Sequence, residues 1–305
     1  MVVKSVEDRI KEFVDYHIHG DGEFNNVVLR AWADKHCHSL QEKYELTYFF
    51  AITYCVESAI ILFEERRNVF ADIGAWVSEN KANLVFQSDR KYIRMKDSFF
   101  KCLTAFEKIR DVNAFIEKVS VGGTIALGKA IPYVSSWVMF GRFSAFLFLE
   151  TFVALTDTPI ENATIEWKKG NTATSGLLNV YGLDKAAATF DKTGKLLVEE
   201  TQMDVMLKNL LTFIARAGGE TNVTMVETSL CAYRKFFKAS RYNGFYLDRM
   251  LEEIYKMQAR FPKQSAELMA IRRQFFDAKY LGEVSGWRGV RPYMKKVYLE
   301  TGMVT

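Results

Sequence analysis

The stretch ETSLCAYRKFFKASRYNGFYLDR, residues 227–249, reads as two helices joined by a break. Val226, Leu230, Tyr233 and Phe237 recur at spacings of three and four and so share one face, while Arg234, Lys235 and Lys238 lie off it. The pattern stops at Ser240-Arg241-Tyr242-Asn243-Gly244, where Asn and Gly tolerate positive φ. A second helix is expected from Phe245, with Tyr246, Asp248 and Arg249 in its first turn. Helix ends of this kind present cations, phenols and backbone N–H groups to an anion.

Outward from here the same helical period recurs. Residues 5–16 place Val6, Ile10, Phe13 and Val14 on one side, and residues 25–40 read as helix. Residues 42–63 read as one long apolar helix through Leu46, Phe49, Phe50, Val56, Ile60 and Phe63. Tyr44, Tyr48 and Tyr54 along it have two readings, core residues or a pocket wall for stacking a base. Residues 98–118 and 265–279 are further helices, the latter basic. Only 4 Pro and 18 Gly interrupt 305 residues that are 49% apolar and 14% aromatic, so the expectation is mainly α, a single compact multi-helix domain over 1–305. Between 156 and 199 a long polar loop or small β insertion is expected, with 163–168 and 177–181 as short strands.

Four scattered cysteines without a Cys-x-x-Cys pair, and a charged stretch over residues 1–15, point to a reducing cytoplasmic setting. The apolar run 131–155 contains Arg142 and Glu150, so it reads as a buried helix and no membrane is expected. Net charge is +4, yet residues 231–305 carry 15 Lys and Arg against 7 Asp and Glu, while the remainder carries 26 against 30. The part from about 227 to 305 is thus the basic, aromatic one, suited to a polyanion or simply to water.

Several local patterns carry candidate chemistry. All four histidines fall in the pairs His17/His19 and His36/His38 with acids nearby, but i, i+2 spacing on a helix splays the rings, so no metal is expected there. FQSDRKYIR, residues 86–94, concentrates Asp89, Arg90 and Arg94, either a fork for a phosphate or a solvated helix face. Gly123 and Gly128 bracket four residues, but Ala130 follows Lys129 where a phosphate loop needs Ser or Thr, which excludes that loop. Arg142 and Glu150 sit eight residues apart in one apolar run, about 12 Å along a helix and on nearly one face, so each needs a partner or a polar cavity. Gly286-Trp287-Arg288-Gly289-Val290-Arg291-Pro292-Tyr293, followed by Lys295, combines rings and cations as a nucleic-acid contact does, or as a docked tail does.

Three stretches together resemble a known group: ETSLCAYRKFF with RYNGFYLDR, FQSDRKYIR, and FGRFSAFLFLE at 140–150 with GNTATSGLL from Gly170. They are similar to the phage amino acid:DNA transferases that build hypermodified thymines, and to their relatives the α-glutamyl/putrescinyl-thymine pyrophosphorylases. The resemblance implies a transferase that replaces the phosphate of phosphorylated 5-hydroxymethyluracil in duplex DNA with an amino acid amine, in the cytoplasm of an infected cell. Its partners are double-stranded DNA and a free amino acid; no cofactor and no metal are expected. Such chemistry needs a flipped base, cations for the departing phosphate and the amino acid carboxylate, and a carboxylate to take the ammonium proton. The candidates are Asp89, Glu150, Glu227 and Asp248 as proton acceptors; Arg90, Arg94, Arg142, Lys235 and Arg249 for anions; and Arg241, Tyr242, Tyr246, Trp287, Arg288, Arg291 and Lys295 for DNA. Cys231 is either a nucleophile toward the base or a small core residue. The alternatives are a related pyrophosphorylase, a helical glycosylase-like enzyme, and a non-catalytic DNA-binding or anti-restriction protein.

Overall fold

A computed structural model of the chain describes residues 4–20, 22, 24–87, 90–95, 97–161, 165, 167, 171–183, 198–237 and 245–275. The chain divides into two compact units, one made of Met1–Phe24, Asn162–Arg249 and Phe275–Thr305, the other of Asn25–Glu161 and Met250–Gln274.

α1 (Val6–His19) opens the first unit, started by Ser5, whose Oγ accepts from Asp8 N. α2 (Phe24–His36) leads into the second, followed by α3 (Leu40–Thr53) and α4 (Val56–Glu64). Ser39 Oγ accepts from Glu42 N and the Glu42 carboxylate accepts from His38 N, a reciprocal cap that sets where α3 begins. Then come α5 (Arg66–Ala71), α6 (Ile73–Asn80), α7 (Lys91–Arg94), α8 (Ser98–Phe106) and α9 (Val112–Val119). A hairpin of β1 (Ser120–Val121) and β2 (Thr124–Ile125) precedes α10 (Leu127–Ser135) and α11 (Arg142–Thr156). Back in the first unit are α12 (Asn171–Val180), α13 (Glu200–Arg216) and α14 (Val223–Phe237). α15 (Phe245–Met257) carries the boundary between Arg249 and Met250, and α16 (Pro262–Phe275) completes the second unit. The protein is mainly α.

Three expectations change. The helix over 42–63 is two, because Tyr54 turns left-handed at φ 52° and caps α3 by donating its N–H to Phe50 O. Residues 98–118 likewise form α8 and α9, the second restarted by Asp111, whose carboxylate accepts from Asn113 N and Ala114 N. Residues 177–180, expected as strand, belong to helix α12. The other expected strand, 163–168, lies largely outside the described residues; among these a sheet lies at 120–125, where Gly122 and Gly123 at φ 58° and 83° supply the two positive dihedrals of a tight hairpin turn.

In the second unit α3 is buried from Tyr44 to Thr53 and packs on α4 and α11. Tyr44 donates to Ile109 O and Tyr48 to Cys102 O, with Tyr48 stacked 4.1 Å from Phe106, so these two tyrosines are core. In the first unit α1, α12, α13 and α14 close around Phe13, Leu177, Leu210, Leu230 and Tyr233. The shared face of Val226, Leu230 and Tyr233 is the buried face of α14, as the spacing requires; the Phe237 side chain lies outside the described residues.

Candidate active site

The FQSDRKYIR segment of the second unit is fixed by the break between α3 and α4. Ser58 Oγ both donates to Val85 O and accepts from Val85 N, each at 2.8 Å. Gln87 N donates to Thr53 O, and Arg90 Nε donates to Ala51 O at 2.6 Å. The Ala51 and Thr53 carbonyls left over at the end of α3 are thereby satisfied, and the Arg90 cation sits at the negative end of that helix. Arg90 is buried, its guanidinium 5.3 Å from the Phe143 ring centre and 6.0 Å from that of Tyr54, so two of the resembling stretches, 86–94 and 140–150, meet through it.

Beside this junction lies a cluster that no single stretch of sequence announces. Cys55 is the residue before α4, Glu57 is in its first turn and Glu253 comes from α15; they are 1%, 3% and 4% exposed. The Cys55 thiol donates to Glu57 Oε2 at 3.2 Å and to Glu253 Oε2 at 3.7 Å. Gln87 Nε2 donates to both oxygens of Glu253, at 2.8 and 3.0 Å. Burial pushes the Glu57 carboxyl up to about 8, the charge of Glu253 adds to that, and the fully buried Arg272 opposes it. Burial also drives the Cys55 thiol well above its ordinary range, so it is a proton donor here and not a ready nucleophile.

The remaining candidates of this unit are placed as follows. Glu150 is 2% exposed in α11 and accepts from Asn26 Nδ2 at 3.2 Å. Arg142, expected to share its buried face, is exposed, because α11 begins there and the side chain leaves the apolar layer at the first residue. Arg94 is exposed at the end of α7, and Asp89 lies outside the described residues. Around Arg142 runs a loop with an apolar surface: Val138, Met139 at 43% and Phe143 at 53% exposure, with Met139 at φ 62°. The loop is anchored by Trp137, packed among Phe115, Phe148 and Phe140, so its shape is set by the core beneath it.

In the first unit the other two resembling stretches meet. GNTATSGLL is largely α12, and Gly176 in it lies so close to α14 that an added Cβ would come within 2.2 Å of Leu230 O. Arg234 Nη1 donates to Thr172 Oγ1 at 3.3 Å. Glu227 and Cys231 form one pair on α14, the thiol donating at 3.3 Å, and Tyr246 stacks 5.5 Å from Phe24. Asp248 is buried and Arg249 half-buried. The Lys235 side chain, Arg241, Tyr242, Trp287, Arg288, Arg291 and Lys295 lie outside the described residues. His17 is buried with Nε2–H donating to Glu220 O and Nδ1 accepting from Ser229 Oγ–H, both 2.8 Å, while His36 Nε2 pairs with Glu267 at 2.7 Å. Each of these two histidines thus serves its own helix packing.

A profile of the family described as amino acid:DNA transferase matches residues 17–242, nearly three quarters of the chain. The chain belongs to the amino acid:DNA transferase family. No curated protein matches it. As an amino acid:DNA transferase it is an enzyme that acts on DNA, and among its described residues no helix is long and apolar enough to cross a membrane. Within this transferase Cys55, Glu57 and Gln87 fall inside the matched stretch, whereas Glu253 and Arg272 lie beyond it. Sequence reasoning singled out none of the five. For Glu57 the signal existed: a carboxylate in the apolar run VESAIILF meets the same burial argument that drew notice to Glu150.

Proposed function

We propose that this transferase acts on duplex DNA containing phosphorylated 5-hydroxymethyluracil. The exocyclic carbon gains a bond to the amino acid nitrogen and loses its bond to the phosphate oxygen, phosphate departing with the electron pair while the ammonium proton passes to a carboxylate. Family membership over residues 17–242 carries this reading. Glu150 is the proton acceptor we favour, since it is buried and its orientation is held by Asn26. Asp89, Glu227 and Asp248 remain the other carboxylates proposed for that role.

The exposed cations Arg142 and Arg94 are proposed for the phosphates and the amino acid carboxylate, with Arg90 holding the floor between them and α3. A stacked base must be extracted before it reacts, and the turn from Val138 into the start of α11 at Phe143 has the make-up of a wedge for that purpose: apolar tips on an aromatic base, next to a cation. Lys235 and Arg249 are proposed for the same anions, and Arg241, Tyr242, Tyr246, Trp287, Arg288, Arg291 and Lys295 to hold the rest of the duplex.

The test is to incubate the protein with duplexes carrying 5-hydroxymethyluracil in unphosphorylated, monophosphorylated and diphosphorylated form, plus a mixture of amino acids, and to digest and weigh the nucleosides. A thymidine whose 5-methyl carbon carries an amino acid through nitrogen, from a phosphorylated duplex and with free phosphate or pyrophosphate released in equal amount, is expected. Transfer to the unphosphorylated base, or none to any of the three, would sink this reading.

A further inference from the structure

We propose that Cys55, Glu57 and Glu253 form a binding site for one thiophilic divalent cation of the zinc class. Each offers one donor atom, and the three atoms all lie within 4.8 Å of one another. The sulfur stands 3.2 and 3.7 Å from the two carboxylate oxygens. With metal–sulfur and metal–oxygen bonds of about 2.3 and 2.0 Å, the sulfur–oxygen edge of a tetrahedral zinc site is about 3.5 Å. The two observed edges bracket that value, so a cation enters by small side-chain rotations and without rebuilding the backbone.

Charge points the same way. A thiolate and two carboxylates are anionic donors of the kind a divalent cation binds, and binding displaces any protons they hold. A second, independent mark is Glu57 Oε1, which is buried and accepts no hydrogen bond among the described residues, although its neighbour Oε2 does. Gln87, donating to both oxygens of Glu253, orients that carboxylate as outer-layer partners of metal ligands do. Three protein donors leave a fourth tetrahedral position for water or substrate, the pattern of catalytic zinc sites and not of closed structural ones. The histidine pairs, where no metal is expected, take no part in this site.

The experiment uses the full chain, stripped with a chelator under reducing conditions and titrated with Co²⁺. One equivalent should bring up a thiolate-to-cobalt charge-transfer band with tetrahedral visible bands, both bleached by Zn²⁺. Cys55→Ser should abolish the charge-transfer band, and Glu57→Gln and Glu253→Gln should each weaken binding at least tenfold. Native mass spectrometry of the wild type with Zn²⁺ should show the mass of one added zinc. No band and no zinc adduct at one equivalent overturns the proposal, and this wild-type result decides even if a variant does not fold. A band that survives Cys55→Ser assigns the cation to another cysteine and overturns it equally. The readouts are independent of transfer activity, so they stand whether or not the proposed substrate is right.

Discussion

At the scale of single residues, Glu150 and His17 show how a buried polar group is kept. Glu150 accepts from Asn26, and an amide in its place can hydrogen-bond the same partner once the Asn26 amide turns over. Glu150→Gln should therefore change the melting temperature little while lowering single-turnover transfer by roughly 10²-fold or more, the scale of general acid–base groups. An unaltered rate with lost stability would strike Glu150 from the proton acceptors. His17 is held neutral by burial, its pKa below the ordinary 6.5. Unfolded chains take up that proton first as pH falls below about 6.5, so the unfolded state binds more protons there and stability drops with acid. Denaturant unfolding at pH 7.5, 6.5 and 5.5 should show that slope, and His17→Gln should flatten it while costing about 1–3 kcal/mol at pH 7.5 through the bonds to Ser229 and Glu220.

Among elements, the packing of α12 on α14 rests on small residues: Ala173, Thr174, Ser175 and Gly176 are all buried, and Gly176 touches the backbone at Leu230. Gly176→Ala should lower stability by about 2 kcal/mol or more, because the overlapping atom is backbone and cannot swing aside. Gly128→Ala in α10, with open space around the new methyl, is the matched control and should cost nothing or add up to about 1 kcal/mol. Equal melting temperatures for the two variants would refute the close approach. Helices with a one-sided apolar stripe, such as α1 and α14, were legible because the stripe is the buried face. α12 was not, since Asn, Thr, Ser and Gly, which fill most of its first two turns, have low helix propensity and the helix is stabilised by a neighbour that periodicity does not reveal. The break at Tyr54 escaped for a related reason: a left-handed tyrosine leaves no compositional mark, and the run on both sides is apolar because α3 and α4 are both buried. The Cys55–Glu57–Glu253 cluster joins residues nearly 200 positions apart, so only the fold could assemble it.

For the molecule as a whole, the charge asymmetry bears on DNA. Replacing Arg288, Arg291 and Lys295 with Ala should weaken duplex binding for all sequences alike and lower the slope of log affinity against log salt by about one for each phosphate no longer neutralised. Unchanged affinity and slope would show that the basic C-terminal quarter does not face the duplex. The order in which the chain visits its two units has a further consequence, for synthesis. The second unit takes its last segment from Met250–Gln274, and Glu253 and Arg272 come only with it. It cannot close while the ribosome still holds that part of the chain in its exit tunnel, so α3 and α4 emerge with apolar faces bare. Arrested nascent chains ending near residue 242, where the family match stops, should accordingly be cut readily by protease in α3 and α4, and the released full-length chain should resist at the same sites.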